Sequence, residues 1–344
     1  MTTLYSFGLG AGTQNSKGDW LEVYFQQPLL NTTETIGNAI TAALGYDGGN
    51  QTLALDKQQL TVLATELRNH GEASQADIAD AIAHSGRPAV MVALENDAAP
   101  QSAPEGYLKL HLLSHRLVKP HGTDLSGIFG LLANVAWTDQ GAIDLEDLPA
   151  RQLQARLSGK PLSVNCIDKF PKMTDYVVPS GVRIADTSRV RLGAYIGEGT
   201  TVMHEGFVNF NAGTEGPNMI EGRVSAGVFI GAGSDLGGGC STMGTLSGGG
   251  NIVIAVGKEC LVGANAGIGI PLGDRCTVEA GLYITAGTKV VILDDNRQPA
   301  GETKARELAG KTDLLFRRNS ISGAIECLTN QSAIELNEAL HAHN

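Results

Sequence analysis

VRIADTSRVRLGAYIGEGTTVMHEGFVN, residues 182–209, carries a branched apolar residue at every sixth position: Ile184, Val190, Ile196, Val202 and Val208. The step resumes at Val224, Ile230, Leu236 and Thr242, then at Val256, Val262 and Ile268, and again at Leu272, Val278, Ile284 and Val290. Glycine follows several of these directly, at 197, 231, 237, 263, 269 and 273. Self-similarity at six residues is the signature of a parallel β-helix of hexapeptide repeats. Three hexapeptides close one triangular coil, and coils stack about 4.8 Å apart by strand-to-strand hydrogen bonding. The branched residue points into the prism, and glycine turns corners where positive φ costs other residues more.

The step breaks at three places: Asn209–Met219, Met243–Asn251, and a four-residue jump at Gly269–Leu272. On a rigid scaffold, breaks become loops or distorted corners, where binding usually lives.

The rest of the chain reads outward from this repeat. At 344 residues, two or three folding units are expected. Leu21–Gln27 alternates like a strand, and TIGNAITAALG is an amphipathic helix closing at Gly45. Asp56–Gly71 and Ser74–His84 are further helices. Pro88–Leu94 is a short buried strand and Tyr107–Leu113 a second. Asp124–Trp137 and Leu145–Leu157 look helical. Residues 1–160 are thus an N-terminal α/β domain without a phosphate loop, HExxH or GxSxG, whose expected role is packing and oligomer contact. A linker at 161–180 leads into the β-helix at 181–292. VILDDNRQPAG then reads as a hairpin or loop. The C-terminal segment 293–344 is basic at Lys304, Arg306, Lys311, Arg317 and Arg318, and Ile321–Ala342 reads as a helix capping the open end of the solenoid.

The formal net charge of −11 argues against nucleic acid or an anionic membrane as partner. Five cysteines without a CxxC pair suit a reducing compartment, with thiols as small core residues. No apolar run is long enough to span a bilayer, and the N-terminus lacks a charged-then-apolar segment. A cytoplasmic protein is expected.

The segments VMHEGFVNFNAGT (202–214), MIEGRVSAGVFIGAGSDLGGG (219–239), STMGTLSGGG (241–250), LVGANAGIGIPLGD (261–274) and VEAGLYITAGTKV (278–290), with KARELAG and LLFRRNS beyond them, closely resemble the tetrahydrodipicolinate N-succinyltransferase family in its long form. The resemblance covers roughly 160–322. It implies a left-handed β-helix, the hand being taken from the family since right-handed crossovers are the general rule. It implies transfer of a succinyl group from succinyl-CoA to the amine of ring-opened tetrahydrodipicolinate, a dicarboxylate, in diaminopimelate and lysine biosynthesis. It also implies a homotrimer with active sites between subunits.

An amine attacking a thioester needs its proton removed and the oxyanion stabilised. Glu205 and Glu221 compete for the first role, and the resemblance favours Glu221. The plain alternative for Glu221 is a solvated corner residue. Arg223 shares its face if the segment is a strand, and it could hold a carboxylate or simply pair with Glu221. By resemblance, Gly244 supplies the oxyanion N–H, Gly238 and Ser241 contact the acyl or pantetheine portion, and Ala264, Glu279, Ala280 and Gly287 form a ridge for the pantetheine arm. Lys304, Arg317 and Arg318, with Asn319 and Ser320, are the available set for the CoA phosphates; ordinary ion pairing is the alternative. Three copies of Glu205 meet if its coil face lies on a trimer axis, where oxygen ligands suit Mg²⁺. Ser188 stands where some relatives carry a second acid, and Asp186 is the nearest substitute. His204 could alternatively be the general base. A non-catalytic or metal-binding trimeric scaffold is the competing function. A zinc hydrase needs three histidines per site, and the repeat holds only His204.

Overall fold

The computed structural model describes residues 3–244 and 252–329, which fall into two compact units. The first comprises residues up to Leu112 together with Gly122–Pro171; the second comprises Leu113–His121 and the chain from Lys172 onward.

In the first unit an antiparallel sheet runs in the order Trp20–Phe25, Ser6–Gln14, Ala89–Leu94, Gln51–Leu55, with Leu29–Leu30 beside Ser6–Gln14. Helices Glu34–Leu44, Lys57–Asn69 and Ala73–Ser85 bury Ile36, Ile40, Leu63, Leu67 and Ala79 with Phe7, Leu9 and Met91. Asp56 caps the second of these in a capping box with Gln59, and Gly45 closes the first at φ 71°. Tyr107–Leu113 is not a strand: it belongs to the helix Ala103–Ser114. Residues 104–114 are all buried, so no polar face marks the helical period. Lys109 is fully buried there, its ammonium donating to Asp97 Oδ1 (2.5 Å), Ala98 O (2.6 Å) and Asp124 O (2.8 Å). Asp124–Trp137 is helical only at Ile128–Leu131, because Val135–Thr138 is the middle strand between Gly141–Asp144 and Val164–Asp168. The helix at Leu145–Leu157 runs over Leu148–Leu157.

The second unit is the β-helix. Its three faces are stacks of short parallel strands. The first holds Ala194–Ile196, Ala212–Thr214, Phe229–Ile230 and Ala255–Val256. The second runs from Arg183–Ile184 through Thr200–Val202, Asn218–Ile220, Asp235–Leu236 and Leu261–Val262 to Thr277–Val278. The third holds Phe207–Val208, Arg223–Val224, Ser241–Thr242, Gly267–Gly269 and Tyr283–Thr285. One inward residue per strand forms a core column. On the second face the column is Ile184, Val202, Ile220, Leu236, Val262, Val278 and Phe316, in register throughout. Each fully buried member, from Val202 to Phe316, contributes roughly 1.5–3 kcal/mol. The Leu113–His121 segment sheathes the first face: Ser114 Oγ donates to Ala194 O, Arg116 Nε to Ile196 O, and Lys119 pairs with Glu215.

The register relocates one break. Thr214 lies opposite Ile196 and Ile220 opposite Val202, so the six-residue step continues unbroken through 209–219. The shortened corner is Ile220 to Val224, two residues tighter than the regular step, as is Ile268 to Leu272. The jump at Gly269–Leu272 is as read, with Leu272 bridging to Val256. Met243–Asn251 lies outside the described residues beyond Gly244.

VILDDNRQPAG is a hairpin, Lys289–Leu293 against Pro299–Lys304. The C-terminal helix is corrected: Ile325–Thr329 is a strand, antiparallel to Leu314–Arg318, which itself continues the second face. The last coil leaves an open edge of backbone groups, and these strands satisfy it. Residues 330–342 of the expected helix lie outside the described residues.

Candidate functional site

The tight corner at 220–224 sets Glu221 in place. Its N–H donates to Leu236 O (2.9 Å), and its carbonyl accepts from Gly239 N (3.3 Å). The half-buried carboxylate faces Gly238, where an added Cβ would stand 3.5 Å from Oε2. Gly222 turns the corner against the coil below: a Cβ there would fall 2.3 Å from Cys240 Sγ. Arg223 is exposed; its N–H donates to Cys240 O (2.9 Å) and its Nε reaches Ser241 Oγ at 3.4 Å. Burial pushes the Cys240 thiol up to about 12, against the pull of Arg223, so it is a neutral floor to this turn.

Glu221, Gly238, Arg223 and Ser241 are therefore one cluster. The corner continues by stacking: Asn265 N donates to Gly238 O, and Gly281 N to Ala264 O. Ala264 and Ala280 are exposed along this ridge. Glu279 lies on it too, but its carboxylate accepts from Arg318 N at 2.7 Å. Gly244 and Gly287 are on the next corner, across the third face from Glu221, with Ser241–Thr242 spanning the interval.

The basic set divides. Arg317 Nε donates to Glu326 Oε2 (2.9 Å), and Asn319 Nδ2 to Oε1 (2.7 Å). Those two hydrogen bonds hold the Glu326 carboxyl below the usual carboxylate range, with Asn319 the larger influence. Arg317 is thus ion-paired with Glu326. Arg318 donates from Nη1 to Gly323 O (3.2 Å), while Lys304 and Ser320 are exposed. Two further cations, Arg306 and Lys289, lie near this set. Arg306 N donates to Ala286 O, which brings it to the end of the third face, and Lys289 lies opposite Lys304 in the hairpin.

Glu205 is exposed, 3.6 Å from His204 Nε2. Asp186 accepts from Ser188 Oγ (2.6 Å) and N (3.0 Å), which lowers its carboxyl's pKa and turns it into its own loop. Among the described residues no three His, Cys, Asp or Glu side chains gather to hold a metal ion. Within one chain Glu205 offers a single carboxylate, so an Mg²⁺ site on it would be completed by symmetry copies and water. Four cysteines are buried and Cys166 is exposed. No helix among the described residues is long and apolar enough to cross a membrane.

Residues 132–172 match the family model for the middle region of tetrahydrodipicolinate N-succinyltransferase, and residues 253–286 match that for the hexapeptide repeat of succinyltransferases. The chain is 68% identical over 342 residues to the 2,3,4,5-tetrahydropyridine-2,6-dicarboxylate N-succinyltransferase of Pseudomonas putida, covering 99% of each. It is 58% identical over 340 residues to the enzyme of that name from Vibrio cholerae, again covering 99% of each. A solved structure from Campylobacter jejuni, described provisionally as a 2,3,4,5-tetrahydropyridine-2-carboxylate N-succinyltransferase, is 32% identical with a TM-score of 0.87 over 97% of this chain and 94% of that one. That likeness carries the left-handed β-helix acyltransferase fold.

Proposed function

Because the chain belongs to the tetrahydrodipicolinate N-succinyltransferase family and is an acyltransferase, we propose that it moves the succinyl group of succinyl-CoA to the amine of ring-opened 2,3,4,5-tetrahydrodipicolinate. The amine lone pair attacks the thioester carbonyl carbon. The tetrahedral oxyanion is stabilised by the Gly244 N–H. Glu221 takes the ammonium proton, the carbon–sulfur bond breaks, and the thiolate recovers a proton to leave as free CoA. Arg223 pairs with a carboxylate of the succinyl group or acceptor. Direct attack needs no acyl-enzyme, which would demand that a weak carboxylate act as nucleophile.

The observation that carries this reading is the shortened corner. It brings a carboxylate, a guanidinium and the Ser241 hydroxyl together beside Gly238, a residue with no side chain to fill the space. Gly238, Ser241, Ala264, Ala280 and Gly287 are the proposed channel for the thioester arm. Lys304, Arg318 and Ser320 are the proposed phosphate contacts. Glu279, Arg317 and Asn319 hold those strands in place through the bonds described above. The proposal extends to a homotrimer in the cytoplasm. It routes no step through Mg²⁺, which three copies of Glu205 would hold on the trimer axis.

Release of free thiol from succinyl-CoA, with the cyclic acceptor present, tests the reading. Glu221→Ala should lower kcat by about 10²–10⁴-fold with the fold intact by circular dichroism. Wild-type activity in that variant would remove Glu221 from the mechanism. A wild-type protein that releases no CoA would remove the function.

A further inference from the structure

The outward residues of the third face are successive partners: Arg223, Ser241, Gly267, Tyr283. The Gly267 rung has no side chain of its own, and the Tyr283 ring occupies its place. A Cβ on Gly267 would stand 2.1 Å from Tyr283 Cε2, 2.3 Å from Cδ2 and 2.5 Å from Cζ. The ring is therefore laid back from its own coil over the preceding one. Gly267 is buried beneath it, while Tyr283 is 46% exposed, so the outer side of the ring is open.

Charge is distributed unevenly along this face. One rung in from Phe207 stand Glu221 and Arg223, a carboxylate and a guanidinium. At the far end, Ala305 N donates to Thr288 O and Arg306 N to Ala286 O, which closes the face with Lys304 and Arg306. Among the described residues neither cation is in an ion pair. Three rungs separate Arg223 from Tyr283, a span of about 14 Å at the usual interstrand spacing.

We propose that Tyr283 is a donor-binding residue: its ring, seated on Gly267, is the surface against which the arm of the CoA thioester lies between the phosphate end and the reacting carbonyl. This rests on the N-succinyltransferase reading and deepens it. A CoA thioester is anionic at one end and reactive at the other, joined by a slender arm of amides and methylenes. An aromatic ring held flat offers that arm apolar area and costs little entropy to order. The glycine keeps the ring low; any Cβ at 267 would lift it into the arm's path.

Steady-state kinetics with succinyl-CoA and the acceptor varied separately, plus calorimetric binding of free CoA, test this. Tyr283→Ala should raise the KM for succinyl-CoA and the Kd for CoA by about tenfold, leaving kcat and the acceptor KM within about twofold. Tyr283→Phe should stay near wild type, since the ring face makes the contact. Gly267→Ala, which displaces the ring without removing it, should reproduce the rise in KM. An unchanged KM for succinyl-CoA in Tyr283→Ala, or an equal rise in the acceptor KM, overturns the assignment while the parent reading stands. A wild-type protein inert toward succinyl-CoA overturns both.

Discussion

The Glu221 carboxylate and Gly238 are one atom's width apart: the missing Cβ of Gly238 would lie 3.5 Å from Glu221 Oε2. That is ordinary van der Waals distance, so alanine fits without moving the backbone. Valine does not, because its branches project into the space in front of the acid. Gly238→Ala should therefore melt like wild type and keep most of its turnover. Gly238→Val should also stay folded but lose on the order of 10²-fold in kcat, the penalty typical of a reactant displaced by about an ångström. Equal turnover in the two variants would show that this space is not where the chemistry occurs.

The pairing of Arg317 with Glu326 predicts how the C-terminal sheet responds to acid. Glu326 is held below its ordinary pKa by Asn319 and Arg317. A carboxylate whose folded pKa is depressed stabilises the fold above its unfolded pKa, near 4.3, and loses that contribution as pH falls through the folded value. Glu326→Gln should lower the melting temperature at pH 7. The gap to wild type should close as the pH drops below about 4. A gap that stays constant from pH 7 to pH 3 would show that the carboxylate's charge contributes nothing.

What was legible in the sequence follows from which side chains face inward. Val202, Val262 and Ile284 are branched and buried, so the period announces itself. Thr214 is buried but polar, and the four-residue step from Ile220 to Val224 shifts the phase, so a six-residue count back from Val224 misses both and sets the irregular corner too early. Glu221 was found because a family motif marks it, yet the reason for its position, the four-residue step to Val224, was not read. The tail departs from its helical expectation for a different cause. Arg317 meets Glu326 only through an antiparallel ladder, and the open edge that recruits those strands is a property of the stacked coils. Local pattern carries neither fact. Tyr283 stands in the motif VEAGLYITAGTKV, but its neighbour Gly267 lies one coil away and 16 residues earlier, a relation that local pattern does not carry.

Thr214 supplies a third prediction. Its hydroxyl meets Thr200 Oγ1 at 2.9 Å, and both residues are buried. Thr214→Val leaves the Thr200 hydroxyl short of its partner, at a cost of about 1–3 kcal/mol. Thr200→Val should cost a similar amount. The double substitution removes both polar groups and should cost less than the sum of the two, a coupling visible in urea melts. Strict additivity would mean that the two hydroxyls do not depend on each other.

Gly222 tests the corner itself. Its absent Cβ would lie 2.3 Å from Cys240 Sγ and 2.7 Å from Cys240 O, distances that no relaxed structure tolerates. Gly222→Ala must push the Glu221 turn away from the coil beneath. That overpacking should destabilise the fold by about 1–3 kcal/mol and depress activity more than stability, since Glu221 and Arg223 flank the displaced residue. Cys240→Ala removes the sulfur but leaves the carbonyl. In the Gly222→Ala background it should therefore restore part of the stability and part of the turnover, although alone it opens a cavity and destabilises. Rescue of one loss by another would tie the position of Glu221 to the tightness of this corner. If Cys240→Ala instead adds its full cost to that of Gly222→Ala in both assays, the corner is not set by the sulfur contact.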